Sequence, residues 1–143
     1  MLTDNFGRRF YYLRLSITDV CNFRCDYCLP DGYQCDHDRS FLSLPEIKRI
    51  ANAFAQLGTE KIRITGGEPS LRKDLPEIIA ACKETPGIKK VAITTNGYKL
   101  PQHLPSWLDA GIDALNISID SLDPRQFQSI TGHNKLDTIL KGI

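Results

Sequence analysis
Four short runs rich in β-branched and aliphatic residues, each separated from the next by a stretch of helical periodicity, leave few architectures open to this chain. The runs cover residues 11–17 (YYLRLSI), 61–65 (KIRIT), 90–95 (KVAITT) and 114–120 (ALNISID). Between the first two, Ser43-Leu44-Pro45-Glu46 supplies a capping hydroxyl, an early proline and a carboxylate three residues on. A helix is predicted from there to Gly58, with Ile47, Ile50, Ala51, Phe54 and Leu57 in one stripe. Asp74-Leu75-Pro76-Glu77 opens a second helix to about Thr85, stopped by Pro86-Gly87. A shorter one runs through Trp107 to Gly111, and another follows Asp123-Pro124. Strands alternating with helices imply right-handed βαβ units and a parallel α/β sheet, with ligands gathered beyond the carboxyl ends of the strands.

The strand faces carry a second constraint. Parallel strands covered by helices on both sides are apolar throughout, and these are not. Leu13, Leu15 and Ile17 share one face, as do Ile62 and Ile64, Val91 and Ile93, and Leu115, Ile117 and Ile119. The opposite face carries Arg14 and Ser16, Arg63 and Thr65, Thr94 and Asn96, and Asn116, Ser118 and Asp120. Burying that set requires a polar ligand or water, so a curved sheet around a wet chamber is predicted. The competing architecture is a half-open sheet with one solvated face.

At 143 residues the chain suffices for one core but is small for a complete barrel of roughly 250 residues. Its formal net charge of +1, with 41% hydrophobic and 24% charged residues, is that of an ordinary globular protein and points to no nucleic-acid partner. Residues 1–9 contain no apolar run, and no stretch approaches the roughly 18 apolar residues that cross a bilayer. No membrane partner is expected, and the expected location is the cytoplasm.

Three of the five cysteines, Cys21, Cys25 and Cys28, crowd directly after the first strand, where a disulfide would strand one thiol in a cramped loop. In a reducing compartment such a trio binds metal. Thiolates are the ligands of iron-sulfur clusters, and three of them leave one iron of a 4Fe-4S cluster open to a cofactor or substrate. A zinc site would draw its fourth ligand from Cys35 or His37. A dithiol made of Cys25 and Cys28 leaves Cys21 unexplained. Cys35, in a polar loop, and Cys82, on a helix, receive no role.

The CxxxCxxC with Tyr27 before its last cysteine, together with Gly66-Gly67-Glu68-Pro69 after the second strand, resembles the radical S-adenosylmethionine (SAM) superfamily. The resemblance implies a partial (β/α) barrel in which Cys21, Cys25 and Cys28 hold a 4Fe-4S cluster whose open iron binds SAM. It further implies that Gly67 lies against SAM, with the glycines of the segment admitting main chain close to the ligand, and that Glu68 steadies the segment. Within the superfamily, residues 10–25, Tyr27-Cys28-Leu29-Pro30, residues 61–69, Thr94-Thr95-Asn96-Gly97, residues 116–123 and Ile130-Thr131-Gly132 resemble the GTP 3′,8-cyclase family, which begins molybdenum cofactor synthesis. By that resemblance Tyr27, Gly67 and Ser118 are SAM-contacting positions, and Arg14, Arg63 and Thr94 are GTP-contacting positions. Asn96 and Asp120 share their face and remain open between ligand contact and structural hydrogen bonding.

Members of that family are more than twice this length and carry a second cluster near the carboxyl end. No second cysteine cluster is present here, and residues 136–143 look like a helix cut short. The chain is therefore expected to be the amino-terminal part, residues 1–143, of a radical SAM barrel, and not to complete the reaction alone. Its sheet should leave an unpaired edge that invites self-association, and a protein reductant should act as electron donor. Two other readings stand beside this one: a radical SAM enzyme acting on a peptide or another small molecule, and a non-catalytic metal-binding domain.

Overall fold
The computed structural model describes residues 2–19 and 41–143. Cys21, Cys25, Tyr27, Cys28, Cys35 and His37 lie outside the described residues. The elements follow in the order β1 (Tyr12–Ser16), α1 (Leu44–Gln56), β2 (Lys61–Thr65), a 3-10 turn (Pro69–Leu71), α2 (Leu75–Glu84), β3 (Lys90–Thr95), α3 (Leu100–Ala110), β4 (Ala114–Ile117), α4 (Pro124–Thr131) and α5 (Leu136–Lys141).

All pairings are parallel, and the strand order β1-β2-β3-β4 follows the chain. That order decides between two α/β architectures. A doubly wound sheet reverses direction and carries helices on both faces, whereas right-handed crossovers between sequential neighbours place every helix on one face, as in a (β/α) barrel. The other face is left free for a chamber.

Register shows how the sequence sorts itself. Leu13 pairs with Ile62 and Ile62 with Val91; Leu15 pairs with Ile64, Ile64 with Ile93, and Ile93 with Leu115. These rows form a core with Ile47 and Ala51 of α1, Leu75, Ile78, Ile79 and Cys82 of α2, and Leu100 and Trp107 of α3. A smaller cluster beneath α4 and α5 joins Phe127, Leu136 and Ile139 to Tyr98, Ile117 and Ile119.

Helix starts follow their caps. Ser43 N donates to Glu46 Oε2 at 2.7 Å and Glu46 N to Ser43 Oγ at 3.4 Å, the reciprocal box expected of that tetrapeptide. α1 stops at Gln56, two residues before Gly58, whose φ of +100° turns the chain back toward β2. β4 is shorter than its alternating sequence, ending at Ile117 where residues 118–120 continue the pattern. Among the described residues no helix is long and apolar enough to cross a membrane.

Candidate functional site
The face turned away from the helices is graded along the strands. Tyr12 lies beside Lys61 near the amino ends; Arg14 lies beside Arg63 two residues further; Ser16 pairs with Thr65 and Thr94 with Asn116 toward the carboxyl ends. Neighbouring strands sit about 4.8 Å apart, and two residues advance roughly 6–7 Å along a strand. Three cations therefore share a small floor below a band of hydroxyl and amide groups. The Tyr12 ring lies under two of them, with Lys61 Nζ 5.5 Å and Arg63 Cζ 5.8 Å from its centroid. Among the described residues none of Arg14, Lys61 and Arg63 is paired with a carboxylate.

Two atoms on this face are buried without a hydrogen-bond partner, Arg63 Nε and Thr94 Oγ1. Folded proteins rarely leave such groups orphaned, because each costs about 1–3 kcal/mol unless something completes it. Clustered cations that pair with no carboxylate among the described residues, together with two orphaned polar atoms, describe a site suited to an anionic, polar ligand.

Above the floor, the segment after β2 braces the residues that precede the cysteines. Ile17 N donates to Thr65 O at 3.1 Å and Gly67 N to Thr18 O at 2.8 Å. Arg72 Nη1 donates to Ile17 O at 2.9 Å, while its Nε and Nη2 hold Asp74 at 2.7 and 3.0 Å. The Arg72 hydrogen bond keeps the Asp74 carboxyl below its ordinary range, against the opposing effect of partial burial. Gly66 adopts a φ of +147°, and a β-carbon there would run into the Thr18 carbonyl oxygen. Gly66 thereby lets main chain approach main chain just before the cysteine segment.

Glu68 is 1% exposed, and its carboxylate bonds to Ser70, Thr95 and Asn96, tying the segment after β2 to the end of β3. Gly67 and Ser118 are exposed beyond the carboxyl ends of β2 and β4. Asn96 is buried, and its Oδ1 accepts from Tyr98 N at 3.0 Å, which gives it a structural bond in addition to its place on the chamber face. Asp120 is exposed past β4. Cys82 is wholly buried in the core, and burial pushes its thiol up to about 11, so it is protonated at neutral pH and is a packing residue. Two residues escaped the sequence reading. Lys61 has the same parity as Arg63, a signal that was present; Thr95 has the parity of the core residues Val91 and Ile93, and nothing local marked it.

A sequentially ordered parallel sheet with helices on one face and a polar, cation-bearing face on the other matches part of a (β/α) barrel, a fold whose ligand sites lie at the strand ends. The chain belongs to the radical SAM superfamily, whose family model matches residues 15–143. The cofactors of that superfamily are a 4Fe-4S cluster and SAM. The chain is 61% identical over 142 residues to a GTP 3′,8-cyclase of Yersinia pestis, covering 99% of this chain and 44% of that protein. It is 64% identical over 143 residues to a GTP 3′,8-cyclase of Haemophilus ducreyi, covering 99% and 42%. It thus spans less than half the length of these relatives. Among solved structures, methylornithine synthase (PylB) matches with a TM-score of 0.70 at 19% identity, covering 96% of this chain and 41% of that one. Streptococcus suis SuiB bound to its precursor peptide SuiA matches with a TM-score of 0.67 at 21% identity, covering 87% and 28%. These two likenesses show the fold.

The donor chemistry fits the cofactors. Three thiolates closely spaced in sequence suit a cluster, and the exposed Gly67 and Ser118 with the orphaned Arg63 Nε and Thr94 Oγ1 suit polar ligands.

Proposed function
We propose that this chain is the amino-terminal part of a GTP 3′,8-cyclase that acts in molybdenum cofactor synthesis. The observation that carries the reading is the buried, unpartnered Arg63 Nε beside Arg14 and Lys61, three cations of which none is paired with a carboxylate among the described residues. A triphosphate meets that arrangement with paired, charge-assisted hydrogen bonds. Thr94 Oγ1, one step toward the carboxyl ends, is placed for the nucleoside.

Cys21, Cys25 and Cys28 would hold the cluster, and Tyr27, Gly67 and Ser118 would hold SAM. When bound, the cluster and SAM supply a one-electron reductive cleavage that yields a radical able to take hydrogen from the GTP ribose. The residues of the chamber floor anchor the triphosphate and so fix the ribose relative to the strand ends. The identity to the cyclases of Yersinia pestis and Haemophilus ducreyi supports the reading. The same reading places the protein in the cytoplasm with a protein reductant as electron donor. It also assigns the second cluster to a carboxyl-terminal portion beyond residue 143.

Nucleotide binding tests it. In the full-length protein, Arg63→Ala or Arg14→Ala should weaken GTP about 10- to 100-fold in titration calorimetry, the worth of one charge-assisted bond. Unchanged GTP affinity in both variants would remove GTP and leave a radical SAM enzyme for a peptide or another small molecule.

A further inference from the structure
Glu68 lies within the segment assigned to SAM, yet its side chain is closed off from any ligand. Oε2 accepts from Ser70 N at 3.0 Å, from the Ser70 hydroxyl and from Thr95 Oγ1 at 2.8 Å, and Oε1 accepts from Asn96 N at 2.7 Å. Both residues of the central bond are buried, Glu68 at 1% exposure and Thr95 at 2%. Thr95 has the parity of Val91 and Ile93, so the bond lies on the helix side of the sheet and not in the chamber.

Thr95 also reaches the neighbouring strand end. Its Oγ1 accepts from Gly97 N at 3.2 Å, and its carbonyl accepts from Ser118 N at 2.9 Å. One buried chain of hydrogen bonds therefore runs from the residue after Gly67, through the end of β3, to the backbone of Ser118.

We propose that the Glu68–Thr95 pair is a positioning device, which locks the ends of β2, β3 and β4 together and so sets the spacing between Gly67 and Ser118 for one SAM molecule. The proposal rests on Gly67 and Ser118 being SAM contacts. Removing the Thr95 hydroxyl leaves Gly97 N without its acceptor and takes from Glu68 Oε2 the one donor that ties it to β3, leaving only the local Ser70 bonds, and groups so buried do not tolerate that in place. The strand ends then relax, and a ligand that must be gripped by both loses affinity, while the more distant floor at Arg14 and Arg63 is spared.

The test uses the full-length protein, reconstituted anaerobically and matched for iron content, with SAM affinity from equilibrium dialysis and GTP affinity from calorimetry. Thr95→Val should raise the SAM Kd by about tenfold or more, the scale seen when supporting hydrogen bonds behind ligand-holding groups are removed. Thr95→Ser, which restores the hydroxyl, should stay within about twofold of wild type, and GTP affinity should stay within about twofold in both. Glu68→Gln, which keeps volume but places an amide against the donors, should reproduce the SAM defect and serves if Thr95→Val does not fold. A folded variant of either kind with wild-type SAM affinity would overturn the proposal, as would a parallel loss of SAM and GTP binding, which marks general damage. Wild-type protein that fails to bind SAM would instead overturn the proposed function.

Discussion
Period-two alternation made the chamber residues readable one by one. Arg14, Arg63 and Thr94 could be placed on one face because a strand sends every second side chain the same way, and the register rows carry that placement across the sheet. Thr95 was not readable, because its parity is that of the core and its partner Glu68 is 27 residues away in sequence. Gly66 could be recognised as special but not explained: its constraint comes from the Thr18 carbonyl on another strand's end, a tertiary contact. Gly66→Ala must take a strained φ and displace that carbonyl, so it should cost at least about 2 kcal/mol. Denaturant unfolding reads this as a lower midpoint, and a loss under about 0.5 kcal/mol would contradict the close approach.

Helix positions were legible from their caps, whereas element ends depended on partners elsewhere in the fold. The alternation of residues 114–120 predicts a seven-residue strand, but β4 can pair only as far as β3 extends. β3 ends at Thr95, with the next backbone N–H committed to Glu68. Ser118 N makes the last rung, to Thr95 O, and the ladder stops. At the other end of the same strands, Asp113 joins three elements. It accepts from Lys83 Nζ of α2 at 2.7 and 2.8 Å and from Val91 N of β3 at 2.8 Å, immediately before β4. Partial burial raises its pKa, but the Lys83 and Val91 bonds and the charges of Lys83 and Lys90 outweigh it and hold the carboxyl below its ordinary 3.8. A carboxyl with a lowered folded pKa contributes stability above its unfolded value and loses it as pH falls through the folded one. Asp113→Asn should therefore cost about 1 kcal/mol near neutral pH, a figure held down by solvent screening of a partly exposed pair. The difference from wild type should vanish as the medium is acidified below the ordinary aspartate range. A pH-independent difference in thermal unfolding would contradict the assignment.

The sequential order β1-β2-β3-β4 with helices on one face is what turns four strands into part of a barrel; the βα alternation in the sequence foretold the parallel sheet, and the polar opposite face of each strand foretold that helices cover one side. Closure of that barrel was not legible, since this chain spans 44% of the Yersinia pestis relative. In the described sheet β4 pairs only with β3, so its outer edge offers unsatisfied backbone groups. The 143-residue chain on its own should associate through that edge in light scattering, and a monodisperse monomer would count against an open edge. The central claim, that three thiolates and this chamber serve reductive SAM cleavage, is tested most directly on full-length protein reconstituted anaerobically with iron and sulfide, then given SAM and dithionite. The account predicts release of 5′-deoxyadenosine, lost in Cys25→Ala. A well-folded, fully loaded protein that binds zinc in those thiolates and leaves SAM intact would contradict it.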